Sequence, residues 1–315
     1  MKFLVTGGSG FIGSNIVWRL LSEGNEVTVL DDMSLGRLEN LPTDAGSRLR
    51  VIKGDVRDRA LLDESFRGVD GVFYDAARSS SPMFSPDPRE GVDVNVMGFL
   101  NAMECARKHE VPVVYASTSS LYSRCTPPHS EEMSVVPGSF YEYSFLAREM
   151  AARLYHELYG VRAIGLRYFS VYGPREEGKR TYANNISQFI WEILNGKRPV
   201  IYGDGTQTRD FIFVEDVVEA NLLAMRGAAE GKFGVFNVGT GVETTFNRVI
   251  ELLNEELGTR ISPAYIENPI KNYVMRTQAE TSKAERVLGF RARVPLREGI
   301  RRTAEYYKRR MKGEA

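Results

Sequence analysis

Gly7, Gly10 and Gly13 stand three residues apart, directly after the apolar run 2–6, and the helical repeat Ile12, Ile16, Val17, Leu20, Leu21 follows them. Glycines at this spacing between a strand and a helix suit a phosphate. Gly7 lets the turn close, Gly10 leaves room for a pyrophosphate against bare backbone, and Gly13 lets the helix pack close to the strand. Backbone N–H groups around Phe11 and Ile12, at the positive end of the helix dipole, then face the phosphates. Asp31 ends the next apolar run, 18 residues after Gly13, close to the roughly 20 of a dinucleotide fingerprint. Its carboxylate suits the hydroxyls of an adenosine ribose. Asp32 beside it sets like charge against a 2′-phosphate, so the pair favours NAD over NADP, with Arg37 pulling the other way. Asp55, in the Gly54-Asp55-Val56 turn after the third apolar run, is placed to accept from an adenine amino group.

These side chains need a sheet to carry them. Apolar runs at 2–6, 26–30, 49–53, 70–74, 112–116 and 162–167 alternate with helix-period segments at 12–23, 58–66, 90–109 and 142–159. Buried strands joined by helices predict a doubly wound parallel α/β sheet. The Pro/Ser-rich stretch 79–88 is then a loop at the C-terminal edge, where ligands bind in such sheets. Past residue 170 the loops lengthen, helices are predicted at 184–195, 245–257 and 296–310, and short strands at 199–202 and 234–238. The expected division is a nucleotide-binding domain of 1–170 with 211–239, and a smaller interleaved lobe of 171–210 with 240–315.

Composition narrows the classes. Lys+Arg and Asp+Glu both number 41 in 315 residues, so no basic field points to nucleic acid. Two cysteines and three scattered histidines give no metal spacing. No apolar run reaches the roughly 18 residues of a membrane span, and Met1 leads straight into a strand, so the expected address is the cytoplasm.

Several further motifs carry a resemblance. They are Thr6-Gly7-Gly8-Ser9-Gly10-Phe11-Ile12-Gly13, Ala76-Ala77 after the fourth strand, Asn95-Val96-Met97-Gly98, Ser117-Thr118-Ser119-Ser120-Leu121-Tyr122, and Arg167-Tyr168-Phe169-Ser170-Val171-Tyr172-Gly173-Pro174. Tyr202-Gly203-Asp204-Gly205-Thr206-Gln207-Thr208-Arg209-Asp210-Phe211 and Asn237-Val238-Gly239-Thr240-Gly241 complete the set. Over nearly its whole length the chain resembles the extended short-chain dehydrogenases/reductases, in their nucleotide-sugar epimerase and dehydratase branch. The resemblance implies a Rossmann-type fold, NAD held by Gly7, Gly10–Gly13, Asp31, Asp32, Asp55, Val56, Ala76, Ala77, Asn95 and Tyr141, and a nucleotide-sugar substrate. Tyr141 matches the catalytic tyrosine and Thr118 the hydroxyl that binds the reacting sugar oxygen. Arg209 matches the arginine of the substrate diphosphate, a task suited to a guanidinium fork. Ser170, Asn185, Val200 and Tyr202 fall on the remaining substrate contacts, with Asn184 and Gln188 near them. The implied reaction is epimerisation, foremost at C4 of a UDP-hexose, through a transient 4-keto sugar. A homodimer through the helices at 90–109 and 142–159 is also implied.

The departures from the family pattern are specific. Phe145 stands where the family has the lysine that holds the nicotinamide ribose and depresses the tyrosine pKa. An unassisted tyrosine titrates near pH 10, roughly 3 units from neutrality. Arg148 and Arg78 are the candidate substitute cations. Tyr74-Asp75 replaces a usual His-Leu, Ser170 an Asn, and Asn268-Pro269-Ile270-Lys271-Asn272-Tyr273 the second diphosphate clamp. A 4,6-dehydratase carries an Asp-Glu pair after the threonine, where this chain has Ser119-Ser120. Another reaction of the family, decarboxylation included, and a catalytically impaired protein that binds NAD and a sugar nucleotide stay open as alternatives.

Overall fold

The computed structural model describes residues 1–269 and 273–313. Its first half alternates as the apolar runs require: β1 (Lys2–Thr6), α1 (Phe11–Ser22), β2 (Glu26–Asp31), β3 (Leu49–Lys53), α2 (Arg59–Ser65) and β4 (Gly71–Tyr74). Then come α3 (Pro88–Val92), α4 (Gly98–His109), β5 (Val113–Thr118), α5 (Phe140–Tyr159) and β6 (Ala163–Tyr168). With β11 (Gly234–Val238) these strands form a seven-stranded sheet in the order β11-β6-β5-β4-β1-β2-β3. Every pairing in it is parallel. Side chains of β1 alternate between its faces: Phe3 and Val5 enter one apolar layer, Leu4 the other. Both faces of the central strands are therefore buried, and these strands read as continuous apolar runs for that reason; the edge strand β3 is part-exposed.

Between β6 and β11 lie β7 (Ser170–Tyr172), α6 (Asn185–Leu194), β8 (Val200–Tyr202), β9 (Thr208–Arg209), β10 (Phe211–Phe213) and α7 (Val214–Ala229). After β11 come β12 (Thr244–Thr245), α8 (Phe246–Leu257), β13 (Ala264–Ile266), α9 (Ser282–Leu288) and α10 (Leu296–Met311). The short strands pair as β10 with β7, β12 with β9 and β13 with β8.

Three helical readings need correction, counting α9, which none of the expected helices covers. The helix expected over 90–109 is α3, a π-helical turn at Asp93–Met97, and α4. The turn buries Asn95, whose Oδ1 accepts from Arg78 N at 2.7 Å and whose Nδ2 donates to Ser144 Oγ at 2.9 Å. Helix α7 was not anticipated. It buries Val214, Val217, Val218, Ala220, Leu222, Ala224, Met225 and Ala228, so apolar residues cover most of its circumference and leave only a narrow polar edge at Glu215, Glu219 and Arg226.

Helix α5 carries the tyrosine of interest. Ser139 caps it, accepting from Glu142 N at 3.2 Å, and Gly160 ends it at φ 69°. Two turns after Tyr141, Glu149 accepts from Ser117 Oγ at 2.5 Å and pairs with Arg167 Nη2 at 2.6 Å. Arg167 also donates to Tyr122 OH at 2.7 Å, and Tyr122 donates to Asn237 Oδ1 at 2.8 Å. One buried carboxylate thereby locks α5 to β5, β6 and β11. Glu149→Ala strands a buried guanidinium and should cost about 3–5 kcal/mol. Glu157→Ala, which breaks the exposed pair with Arg153 on the same helix, should cost under about 1 kcal/mol. Urea denaturation of the two variants checks the contrast.

Candidate active site

A cleft runs along the C-terminal ends of the central strands. Gly7, Gly10, Phe11, Ile12, Gly13, Asp31, Asp32, Asp55, Val56, Ala76, Ala77, Thr118, Tyr141 and Ser170 all line it. The glycine turn is built for close approach. Gly7 has φ 68°, and a Cβ there would meet Ala76 N at 2.9 Å; a Cβ on Gly13 would collide with Gly7 O. Gly10 is the N-cap of α1, which has no side-chain cap and no acidic residue in its first turn. An uncapped helix N-terminus over bare backbone fits a pyrophosphate.

Next to the turn, Asp31 ties its own loop. Its Oδ2 accepts from Ser9 N at 2.9 Å and its Oδ1 from Met33 N at 2.8 Å. Burial raises its carboxyl above the usual range, against those two N–H bonds. Asp32 accepts from Ser34 N at 2.8 Å and Ser34 Oγ at 2.6 Å. Arg37, the cation that could welcome a 2′-phosphate, does not line the cleft. Asp55 is held on both oxygens by Arg57 and sits below the ordinary carboxylate range through those hydrogen bonds.

At the other end Tyr141 OH donates to Thr118 Oγ1 at 3.1 Å. Thr118 Oγ1 also accepts from Ser120 N at 3.1 Å, which fixes the hydroxyl at the end of β5. Burial raises the Tyr141 phenol above its ordinary value; hydrogen bonds with Thr118 and Ser120 and the field of Arg148 pull it down in part. Phe145 packs edge-on to Tyr141, with ring centroids 5.0 Å apart. Neither candidate cation takes the missing ammonium's place. Arg148 lies fully buried behind Phe145, its guanidinium 4.8 Å from the ring centroid. It donates to Asn95 O at 2.7 Å and Ala76 O at 2.9 Å, while Nη1 has no hydrogen-bond partner. Arg78 lines the cleft and pairs with Glu90 at 3.0 Å and Ser34 Oγ at 3.0 Å.

Other expected residues lie off the cleft wall. Asn95 is behind it, spent on the Arg78 loop and Ser144. Asn185 opens α6 beside Asn184, which does line the cleft and caps the helix through Ile186 N at 3.0 Å. Val200 and Tyr202, on β8, are exposed. Arg209, on β9, donates to Thr208 O at 2.7 Å and lies over the rings of Phe246 and Tyr273, at 5.6 and 5.2 Å. The neighbouring carboxylates are engaged elsewhere: Asp210 serves Thr240, Gly241 and Ala279, and Asp204 serves Thr206. Of the replaced clamp segment, residues 270–272 lie outside the described residues. Sequence reasoning had assigned no role at the site to Lys179, Arg175 or Phe169, which also line the cleft. Among the described residues no cluster of His, Cys, Asp or Glu could hold a metal ion, and no helix is long and apolar enough to cross a membrane.

Two carboxylates at the adenosine end should make NAD bind at least about tenfold more tightly than NADP. Asp32→Ser, which removes one charge at a part-exposed position, should narrow the gap. Calorimetric titration with both cofactors checks this, and equal affinities in the parent protein would contradict it.

Comparison with known proteins agrees with this geometry. Residues 3–239 match the model of the NAD dependent epimerase/dehydratase family. The UDP-glucose 4-epimerase of Mycolicibacterium smegmatis is 36% identical over 314 residues, covering 98% of this chain and 99% of that protein. A UDP-glucose 4-epimerase from Thermotoga maritima, solved with UDP-glucose, superposes with a TM-score of 0.91 at 32% identity, over 99% of this chain and 100% of that one. A dTDP-glucose 4,6-dehydratase from Streptomyces venezuelae, solved with NAD bound, superposes with a TM-score of 0.89 at 32% identity, over 99% and 98% of the two chains. Epimerases and dehydratases thus share this Rossmann fold and its NAD cleft, and the chain belongs to the NAD-dependent epimerase/dehydratase family.

Proposed function

We propose that this protein epimerises C4 of a UDP-hexose, UDP-glucose in the first instance, with Tyr141 as its acid–base group. The observation that carries the reading is the 3.1 Å hydrogen bond from Tyr141 OH to Thr118 Oγ1, at the far end of the cleft from the glycine turn. The turn at Gly7–Gly13 holds the phosphates of NAD, Asp31 and Asp32 its adenosine ribose, Asp55 and Val56 its adenine, and Ala76 and Ala77 line its path. When bound, NAD takes the hydride from the sugar carbon and returns it to the other face. Tyr141 takes the hydroxyl proton as phenolate and gives it back, while Thr118 holds the same sugar oxygen. Ser119 and Ser120 offer hydroxyls where expelling water needs an acid and a base, which favours epimerisation over dehydration.

Substrate anchoring falls to Arg209, with Ser170, Asn185, Val200 and Tyr202 as the further substrate contacts. Burial lowers the Arg209 guanidinium below its ordinary value, and among the described residues no carboxylate pairs with it. A desolvated guanidinium stacked on two rings suits a diphosphate. Apart from Ser170, the last residue of the nucleotide-binding domain, these groups lie on residues 171–210, which with 240–315 we read as the sugar-nucleotide lobe. The names of the Mycolicibacterium and Thermotoga relatives support UDP-glucose as the first substrate to try. We also read the protein as a homodimer through α5, whose Tyr143, Met150, Leu154 and Leu158 are each more than half exposed.

The pH–rate profile tests the acid–base assignment. With a raised phenol pKa and no ammonium beside it, turnover of UDP-glucose should be slow at neutral pH and climb into the alkaline range. The shortfall at neutrality falls within the roughly 10²–10⁴ that a positioned proton transfer supplies. Phe145→Lys alone sets a second cation beside Arg148, so Phe145→Lys with Arg148→Met is the variant expected to raise neutral activity and move the profile to lower pH. Tyr141→Phe should abolish turnover and keep the binding of NAD and UDP-glucose. A parent profile already flat across neutrality would contradict an unaided tyrosine, and bound ligands without turnover in any variant would favour a non-enzymatic binder.

A further inference from the structure

We propose that Asp75 is a charge-tuning residue beneath the reacting end of the cleft, where its carboxylate favours the cationic, oxidised form of the nicotinamide cofactor over the neutral, reduced form. The proposal rests on the NAD-dependent reading of the cleft and extends it to a residue outside the Tyr141–Thr118 pair.

The strand order supplies the placement. The sheet runs β6-β5-β4-β1-β2-β3 across the cleft. The glycine turn after β1, Asp31 on β2 and Asp55 after β3 fix the adenosine and phosphate end, and Thr118 on β5 with Tyr141 marks the reacting end. A dinucleotide that spanned these groups would bring its redox-active ring toward the ends of β4, β5 and β6. Asp75 follows β4 directly and lines the cleft. Its Oδ1 lies 3.2 Å from Tyr168 OH, on the last residue of β6. The carboxylate therefore reaches beneath the end of β5.

Its partners leave it short of stabilisation. Oδ2 is buried and has no hydrogen-bond partner. Tyr168 OH has a single proton and two acceptors, Asp75 Oδ1 and, at 3.1 Å, Asn221 Oδ1 on α7. When Asp75 is ionised, Tyr168 can donate to it. When Asp75 is protonated, it can donate to Tyr168, which then serves Asn221. The groups that bear on Asp75 are Tyr168 from β6 and Arg148 from α5, together with the non-titrating Asn221. Arg148 forms no ion pair with it and gives its donors to Asn95 O and Ala76 O. Burial pushes the Asp75 carboxyl up to about 7, so it changes charge across neutrality. Tyr168 titrates well above that range, and an arginine keeps its charge.

A buried, half-satisfied carboxylate is costly, and a positive charge above it offsets the cost. The oxidised ring carries that charge and the reduced ring does not. Phe145 acts in the same sense, since it removes a like charge from the oxidised ring's surroundings. By linkage, the oxidised cofactor lowers the Asp75 pKa, so its binding releases protons and strengthens as pH rises until the free protein's carboxyl is ionised. Groups at the adenosine end, Asp31 included, act equally on both redox forms and cancel in the ratio of their affinities.

Dissociation constants for NAD and NADH, measured without sugar nucleotide in the parent protein and in Asp75→Asn, test this. In the parent, the ratio Kd(NADH)/Kd(NAD) should rise by about tenfold between about pH 6 and about pH 8; in Asp75→Asn it should be flat. Tyr168→Phe removes the donor to the carboxylate and should move the midpoint to higher pH. Calorimetry of the parent in buffers of different ionisation enthalpy should show more proton release with NAD than with NADH, and that difference decides the matter even if a variant fails to fold. A ratio independent of pH in the parent, or the same rise in Asp75→Asn, would overturn the proposal while leaving the cofactor assignment standing. Failure of the parent to bind either redox form would overturn both.

Discussion

Glu149 joins two strands to a helix through one carboxylate, and a third strand through Arg167 and Tyr122, and the reacting end of the cleft depends on that joint. It accepts from Ser117, the residue before Thr118, and pairs with Arg167 one residue before Tyr168. Because it rides on α5, the same helix that carries Tyr141, the carboxylate sets the helix against the strand ends and thereby the separation of Tyr141 from Thr118. A buried ion pair contributes little net stability over an apolar pair of similar shape, but it tolerates few alternative geometries. Its contribution here is position: the phenol and the threonine hydroxyl meet at hydrogen-bond distance with no ligand to draw them together.

The electrostatics around that hydroxyl run against the family pattern. Phe145 removes a cation from the cleft wall, Arg148 holds a cation behind the ring with its donors committed to carbonyls, and Asp75 adds a carboxylate under the strand ends. An ammonium at position 145 would stabilise a phenolate directly. In its absence, Tyr141 has two hydroxyl neighbours and the distant field of Arg148. When bound, NAD would bring a cationic ring, a further charge that would favour a Tyr141 phenolate.

Much of this was legible from local pattern. The glycine turn, Asp31 and the parallel sheet are written in short runs, because a strand buried on both faces must be apolar throughout and a phosphate turn must be glycine. Tyr141 and Thr118 were legible only through the family's motifs. What the sequence hid follows from contacts between distant segments. Asn95 faces the Arg78 loop because a π-helical turn rotates it inward, and nothing in its neighbours marks that turn. Helix α7 has only a narrow polar edge, Glu215, Glu219 and Arg226, to announce it. The isolation of Arg209 depends on Asp210 being claimed by Thr240, Gly241 and Ala279, some 30 to 70 residues away. Asp75 read as a mild departure from a leucine until β6 brought Tyr168 against it across β5.

The central claim is that hydride leaves C4 and returns to C4 of the same sugar while Tyr141 handles only the hydroxyl proton. It is tested most directly with UDP-galactose deuterated at C4, incubated with the protein and NAD in ordinary water, and with the UDP-glucose product read by mass and by NMR. The account predicts UDP-glucose that retains deuterium at C4, with none appearing in solvent and no net NADH. Loss of the label to water, or stoichiometric NADH, would contradict it.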